Sequence, residues 1–75
     1  MSKPFTVNIN SLEYGGVSPR RVQLWREMLR SGIDCAPLKV RPLPDLPGHY
    51  KVHSGADLVE AARLEGMASL AAVVA

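Results

Sequence analysis

Four short stretches of the chain carry hydrophobic patterns that predict β-strands. FTVNI at residues 5–9 alternates apolar and polar positions, as does HYKVHS at 49–54. PLKVRPL at 37–43 alternates in the same way, and its flanking prolines suggest either an edge position in a sheet or an early end of the strand. SLAAVVA at 69–75 is apolar almost throughout, which is typical of a buried strand.

Two further stretches have the period of amphipathic α-helices. In SPRRVQLWREMLRSG, residues 18–32, Ser18 suits the N-cap, Pro19 the first helical position and Gly32 the exit. ADLVEAARLEG, residues 56–66, predicts a second helix that ends at its glycine. Its predicted core-facing residues are Leu58, Ala61 and Ala62. The resulting order, β-α-β-β-α-β, predicts an α+β fold.

Length and composition limit the number of domains and the cellular environment that the sequence predicts. The 75 residues suffice for a single domain, residues 1–75. Only four residues are aromatic, so the core is thin, and this raises the hypothesis of a homodimer. One cysteine excludes an internal disulfide and a zinc site built from several cysteines, and it favours a reducing, cytoplasmic setting. No leader and no apolar run of about 20 residues is present, so we expect no membrane partner.

The net charge of +2 is small, but the charges are unevenly distributed. The first helix is strongly basic and the second is acidic, which predicts a polarised molecule. If the strand predicted at residues 37–43 lies near the first helix, the basic side of the molecule continues along it. The candidate binding residues for DNA phosphates or an acidic protein surface are Arg20, Arg21, Arg26, Arg30, Lys39 and Arg41. An ordinary solvated helix face explains the same arginines equally well.

Metal chemistry has little support in the sequence. His49 and His53 share a strand face but stand about 13 Å apart along an extended chain, too far to hold one metal together. No acidic residue or cysteine is placed to complete a site, so we expect neither a metal nor another cofactor.

The stretch YKVHSG, followed by ADLVEAARLEGMASLAAVV, resembles the ParB/sulfiredoxin-like fold family. ParB-type domains place a similar strand, a glycine and a compact helix in this order. The helix that ends in MLRSG, followed by a strand with alternating valines, extends the likeness over nearly the whole chain. The resemblance implies one small domain of this fold.

The residues that carry chemistry in that family are replaced here. In ParB-type members the glycine precedes Glu-Arg-Arg, which holds phosphates, and in sulfiredoxins it precedes Cys-His-Arg, which contains the nucleophile. Gly55 matches the glycine, but Ala56, Asp57 and Leu58 follow it. An alanine cannot be a nucleophile, and a carboxylate repels phosphate. The resemblance therefore implies a degenerate site without catalytic residues. Ser54 and Gly55 form either a residual anion-binding turn or a simple turn capped by Ser54 or Asp57.

Three functions stay open at this point. The first is a non-enzymatic accessory protein that binds DNA or a DNA-associated protein complex, and the resemblance suggests a plasmid, phage or other mobile element as its source. The second is a protein-binding inhibitor or adaptor that uses the same scaffold. The third, a residual nuclease or nucleotide hydrolase, rests on analogy of fold alone.

Overall fold

The computed structural model describes residues 3–33 and 35–75. Its strands are β1 (Phe5–Asn8), β2 (Leu12–Glu13), β3 (Leu38–Pro42), β4 (Tyr50–Ser54) and β5 (Ser69–Val74). Its helices are α1 (Pro19–Arg30) and α2 (Ala56–Leu64), and a single 3₁₀ turn, Ile9–Ser11, links β1 to β2. The predicted α+β order is confirmed, with the two-residue strand β2 as an addition.

The five strands form one sheet in the order β1-β5-β3-β4-β2. β1 pairs antiparallel with β5, and β3 pairs antiparallel with β4. The contacts between β3 and β5 and between β2 and β4 are parallel. The sheet therefore contains one hairpin, β3–β4, and one antiparallel pair, β1–β5, that joins the two ends of the described chain. Its two parallel pairs require crossover connections, which contain α1 and α2.

Of the two alternatives that the prolines suggested, the edge position is wrong, because β3 is the central strand, whereas an early end agrees with a strand that stops at Pro42. Pro37 precedes the strand and Pro42 is its last residue, so a missing N–H donor affects only its ends. Positions between them pair with β4 on one side and β5 on the other. Val40, midway along β3, is completely buried.

The helices cover one face of the sheet and build the core against it. α2 contributes Leu58, Ala61 and Ala62, as predicted, and also Val59, which is completely inaccessible. The clustered core residues are Val7, Ile9, Leu12, Leu38, Val40, Leu58, Val59, Ala62 and Ala72. Trp25 and Leu29 of α1 pack against this cluster while remaining partly exposed. No helix in the described ranges is long and apolar enough to cross a bilayer.

Candidate functional site

The turn between β4 and α2 is built around a glycine that the local geometry requires. Gly55 is the N-cap of α2 and has φ 111° and ψ 20°, a left-handed conformation that L-residues avoid. A Cβ at this position would lie 2.5 Å from Cδ2 of Leu38, well inside van der Waals contact. The backbone of the turn thus lies directly against the side chain of Leu38, and this close approach explains the glycine without a ligand.

The N-terminus of α2 is not capped by Ser54 or Asp57, contrary to the simple-turn alternative. The N-cap is Gly55, which has no side chain, and no side-chain capping bond forms there. Asp57 instead reaches the start of α1, where its Oδ1 accepts a hydrogen bond of 2.8 Å from the backbone N–H of Ser18. One carboxylate therefore joins the first turns of both helices, where a negative charge is favourable.

Of the three positions after Gly55, only Asp57 carries an ionisable group, and that group already accepts a hydrogen bond. Ala56 has only a methyl group, and Leu58 is 4% exposed because it faces the core. Asp57 is committed to Ser18 and would repel an incoming phosphate. In the described ranges, no three His, Cys, Asp or Glu side chains gather where they would hold a metal ion.

The six predicted binding residues fall into three groups. The residues of the first group form ion pairs within the protein. Arg26 donates to Glu65 over 2.7 Å, and Arg30 donates to the same carboxylate over 2.8 and 3.0 Å. The side chain of Glu65 is only 16% exposed. These two arginines bind the C-terminal part of α1 to the end of α2, so they contribute less to an outward-facing basic surface.

The ion pairs of Glu65 with Arg26 and Arg30 should make the stability of the protein depend on pH. Hydrogen bonds from Arg30 and Arg26 lower the pKa of Glu65 below its usual value of about 4.3. Its stabilisation is therefore present above about pH 4.3 and is lost as the pH falls through the lowered folded-state pKa. Between pH 7 and pH 3, the urea midpoint of the wild type should fall further than that of Glu65→Gln. Asp45→Asn, which removes an exposed carboxylate that forms no ion pair among the described residues, is the control and should keep the wild-type pH dependence. Equal pH dependence in Glu65→Gln and the wild type would contradict this role.

The second group lies at the N-terminal end of α1. Arg20 and Arg21 are exposed, and neither forms an ion pair or a side-chain hydrogen bond within the described residues. They belong to the helical layer of the molecule. They therefore remain available for a partner that approaches the helices.

The third group lies on the opposite side of the sheet. Lys39 and Arg41 alternate with the buried Leu38 and Val40, so their side chains face away from the helices. The basic side predicted to run from the first helix through this strand is therefore interrupted by the sheet itself. Lys51, which the sequence analysis did not select, is the direct cross-strand neighbour of Arg41. Its alternation with Tyr50 and Val52 was a usable signal, because a hairpin of two alternating strands puts their polar positions on one face.

The fold matches known structures closely although the sequence does not. No family model and no curated protein matches the chain. The structure of the C-terminally truncated chromosome-partitioning protein ParB from Caulobacter crescentus, complexed with CTP-gamma-S, superposes with a TM-score of 0.82 at 20% identity. Sulfiredoxin from Arabidopsis thaliana superposes with a TM-score of 0.78 at 14% identity.

Both matches cover 97% of this chain, but they cover different shares of the matched proteins. The chain spans 44% of the ParB structure and 84% of the sulfiredoxin structure. At these identities the likeness concerns the fold alone. The predicted ParB/sulfiredoxin-like fold is confirmed.

Proposed function

We propose that this ParB/sulfiredoxin-like domain is a non-enzymatic accessory module that binds the phosphate backbone of DNA. The observation that carries the proposal is the balance of charges after internal pairing. Among the described residues, ion pairs join Arg26 and Arg30 to Glu65, and Arg63 to Glu60. The cations that form no ion pair there are Lys3, Arg20, Arg21, Lys39, Arg41 and Lys51.

Four carboxylates of the described residues, Glu13, Glu27, Asp45 and Asp57, also form no ion pair, so these six cations leave an excess of two positive charges. Such an excess favours a polyanionic partner. Each phosphate that a Lys or Arg neutralises releases condensed counterions from DNA, and this release supplies most of the affinity of sequence-independent binding. The side chains at the β4–α2 turn favour binding over catalysis, because Ala56 and Asp57 occupy the positions where chemistry is expected by resemblance. By analogy of fold with the ParB structure, we propose a DNA-associated complex as the setting and a plasmid, phage or other mobile element as the source.

A second candidate function, an adaptor that binds protein, is favoured by an apolar groove of about 270 Å³ beside the end of α1. Leu29, Cys35 and Leu70 line it together with Ile33 and Met67, which are 50% and 39% exposed. Exposed apolar side chains in a concave surface are typical of protein interfaces. Recovery of a specific protein from a host lysate, abolished by Ile33→Ser with Met67→Ser, would favour this alternative over DNA.

DNA binding is tested with the wild-type protein and a fluorescein-labelled duplex of about 20 base pairs. We expect anisotropy titrations to give an association constant whose logarithm falls linearly with the logarithm of salt concentration. Three phosphate contacts would give a slope of about −3. A morpholino duplex of the same sequence, which has an uncharged backbone, is the control and should not bind. No binding at about 50 mM salt would refute the proposed function. Hydrolysis of CTP or ATP in the presence of Mg²⁺ would instead revive the residual hydrolase.

A further inference from the structure

We infer that the surface that contacts duplex phosphates is the exposed face of β3 and β4, and not the basic face of α1. We call this surface the strand strip and define it by Lys39, Arg41, Lys51 and His53. This inference rests on the proposed function and adds to it the location of the interface. All four side chains are exposed, and none forms an ion pair or side-chain hydrogen bond in the described part of the chain.

The cations of the strand strip lie close together. Arg41 and Lys51 are directly opposite each other in the antiparallel register. Lys39 is two positions from Arg41 on the same strand, which corresponds to about 7 Å. Like charges placed directly across a sheet destabilise it. An anion between Arg41 and Lys51 would relieve that repulsion, so the arrangement favours a bound phosphate.

A β-bulge in β4 shapes this surface. Lys39 pairs with Ser54 and Val40 pairs with Val52, so the register passes over His53. Bulges of this kind redirect side chains and increase the local twist. Here the bulge accompanies an open groove of about 360 Å³, lined by Arg41, Lys51, Val52 and His53. The result is a shallow cationic groove on an otherwise flat sheet.

The composition of the strand strip favours a phosphate backbone over other anionic partners. All four aromatic side chains of the protein, Phe5, Tyr14, Trp25 and Tyr50, pack against the core instead. The strip therefore has no Phe, Tyr or Trp platform for stacking the bases of a single strand, and its ring is the smaller imidazole of His53. The apolar residue in its groove is the half-buried Val52, which is smaller than the large anchors typical of protein interfaces, and exposed ion pairs alone contribute little. Regularly spaced duplex phosphates need neither feature.

One acidic residue lies beside the strand strip, and removal of its charge should strengthen DNA binding. Glu13 of β2 is the parallel register partner of Lys51. It is exposed and forms no ion pair with Lys51 within the described residues. Its charge would repel a phosphate bound at Lys51. Glu13→Gln is therefore expected to tighten duplex binding about two- to threefold at low salt.

The main test compares three double variants that lower the net charge by the same amount. Arg41→Gln with Lys51→Gln changes the strand strip and Arg20→Gln with Arg21→Gln changes α1. Arg63→Gln with Leu64→Glu, at two exposed positions of α2, is the control. We expect the strip variant to weaken binding of a labelled duplex at least tenfold at about 50 mM salt. Its salt slope should become shallower by about 2, one for each lost phosphate contact. The control should stay within about threefold of the wild type, the scale of a net-charge effect.

The outcomes separate this inference from the proposed function. A larger loss in the α1 variant than in the strip variant would overturn the inference while leaving DNA binding intact. No duplex binding by the wild type would refute the proposed function and this inference together. Tighter binding to a single strand of equal length, or displacement of the duplex by poly-glutamate at equal charge concentration, would also overturn the inference. The thermal midpoint of the strip variant should stay close to that of the wild type, because the substitution removes both the like charges of Arg41 and Lys51 and the opposite charge beside Glu13. A lowered midpoint would show that these cations serve stability instead.

Discussion

Gly55→Ala is expected to lower the free energy of unfolding by about 3 kcal/mol. A left-handed backbone conformation costs an L-residue about 1–2 kcal/mol, and φ at this position is 111°. The added methyl group would also lie 2.5 Å from Cδ2 of Leu38, and overpacking of this kind costs about 1–3 kcal/mol. Leu38 is 2% exposed and has little room to move. Equilibrium urea denaturation monitored by far-UV circular dichroism measures the loss.

Alanine substitutions at two other glycines distinguish the cost of the backbone conformation from the cost of the overlap with Leu38. Gly48 and Gly66 have φ values of 84° and 78°, but no atom lies within 4 Å of a Cβ built on either. Alanine at each of these positions should cost only about 1 kcal/mol, since the backbone conformation is the sole penalty. If Gly55→Ala proves no more destabilising than Gly66→Ala, the close approach to Leu38 has no energetic weight.

Leu38→Ala is expected to cost about 3 kcal/mol, in the middle of the range for buried leucines. Leu38 lies in the central strand, and its register partner in β5 is the fully buried Ala72. Two of its neighbours, Gly55 and Ala72, have side chains too small to fill the cavity. Leu38→Val, a smaller truncation, should lose roughly half as much and provides a value if the alanine variant is too unstable. A loss below about 1 kcal/mol would show that the site collapses.

The two substitutions should also interact. In the double variant, alanine at position 38 removes the methyl group that the new Cβ of residue 55 would overlap. The combined loss should therefore be smaller than the sum of the single losses by about 1 kcal/mol or more. Strict additivity would mean that the helix moves away from the strand when Gly55 is replaced. Urea denaturation of all four proteins completes the cycle.

Local pattern predicted most of the elements of this fold, and pairing over long distances explains what it missed. The alternation in residues 37–43 correctly indicated which side chains of β3 are buried. Its prolines suggested an edge, but the place of a strand in a sheet depends on partners that are distant in sequence. β2 escaped prediction because two residues are too few to show a period. The glycine at position 55 was found by resemblance, whereas its contact with Leu38 required coordinates.

The candidate binding residues show the same limit. Helical periodicity placed Arg26 and Arg30 on an outward-facing stripe, but Glu65 lies 39 and 35 positions away. The carboxylate of Asp57 and the N–H of Ser18 are likewise 39 positions apart. A single sequence without its fold does not reveal such pairs. Lys51, in contrast, was accessible to sequence reasoning, since it follows from the alternation of β4 and its pairing with β3.

The position of β5 bears on how the chain folds as it is made. Residues 69–74 insert between β1 and β3, so β1 has no hydrogen-bonding strand among the described elements until β5 arrives. A nascent chain that has not yet added β5 would therefore leave β1 unpaired. The pairing of β1 with β5 joins residues 61 to 67 positions apart, and contacts over such long separations favour slow folding.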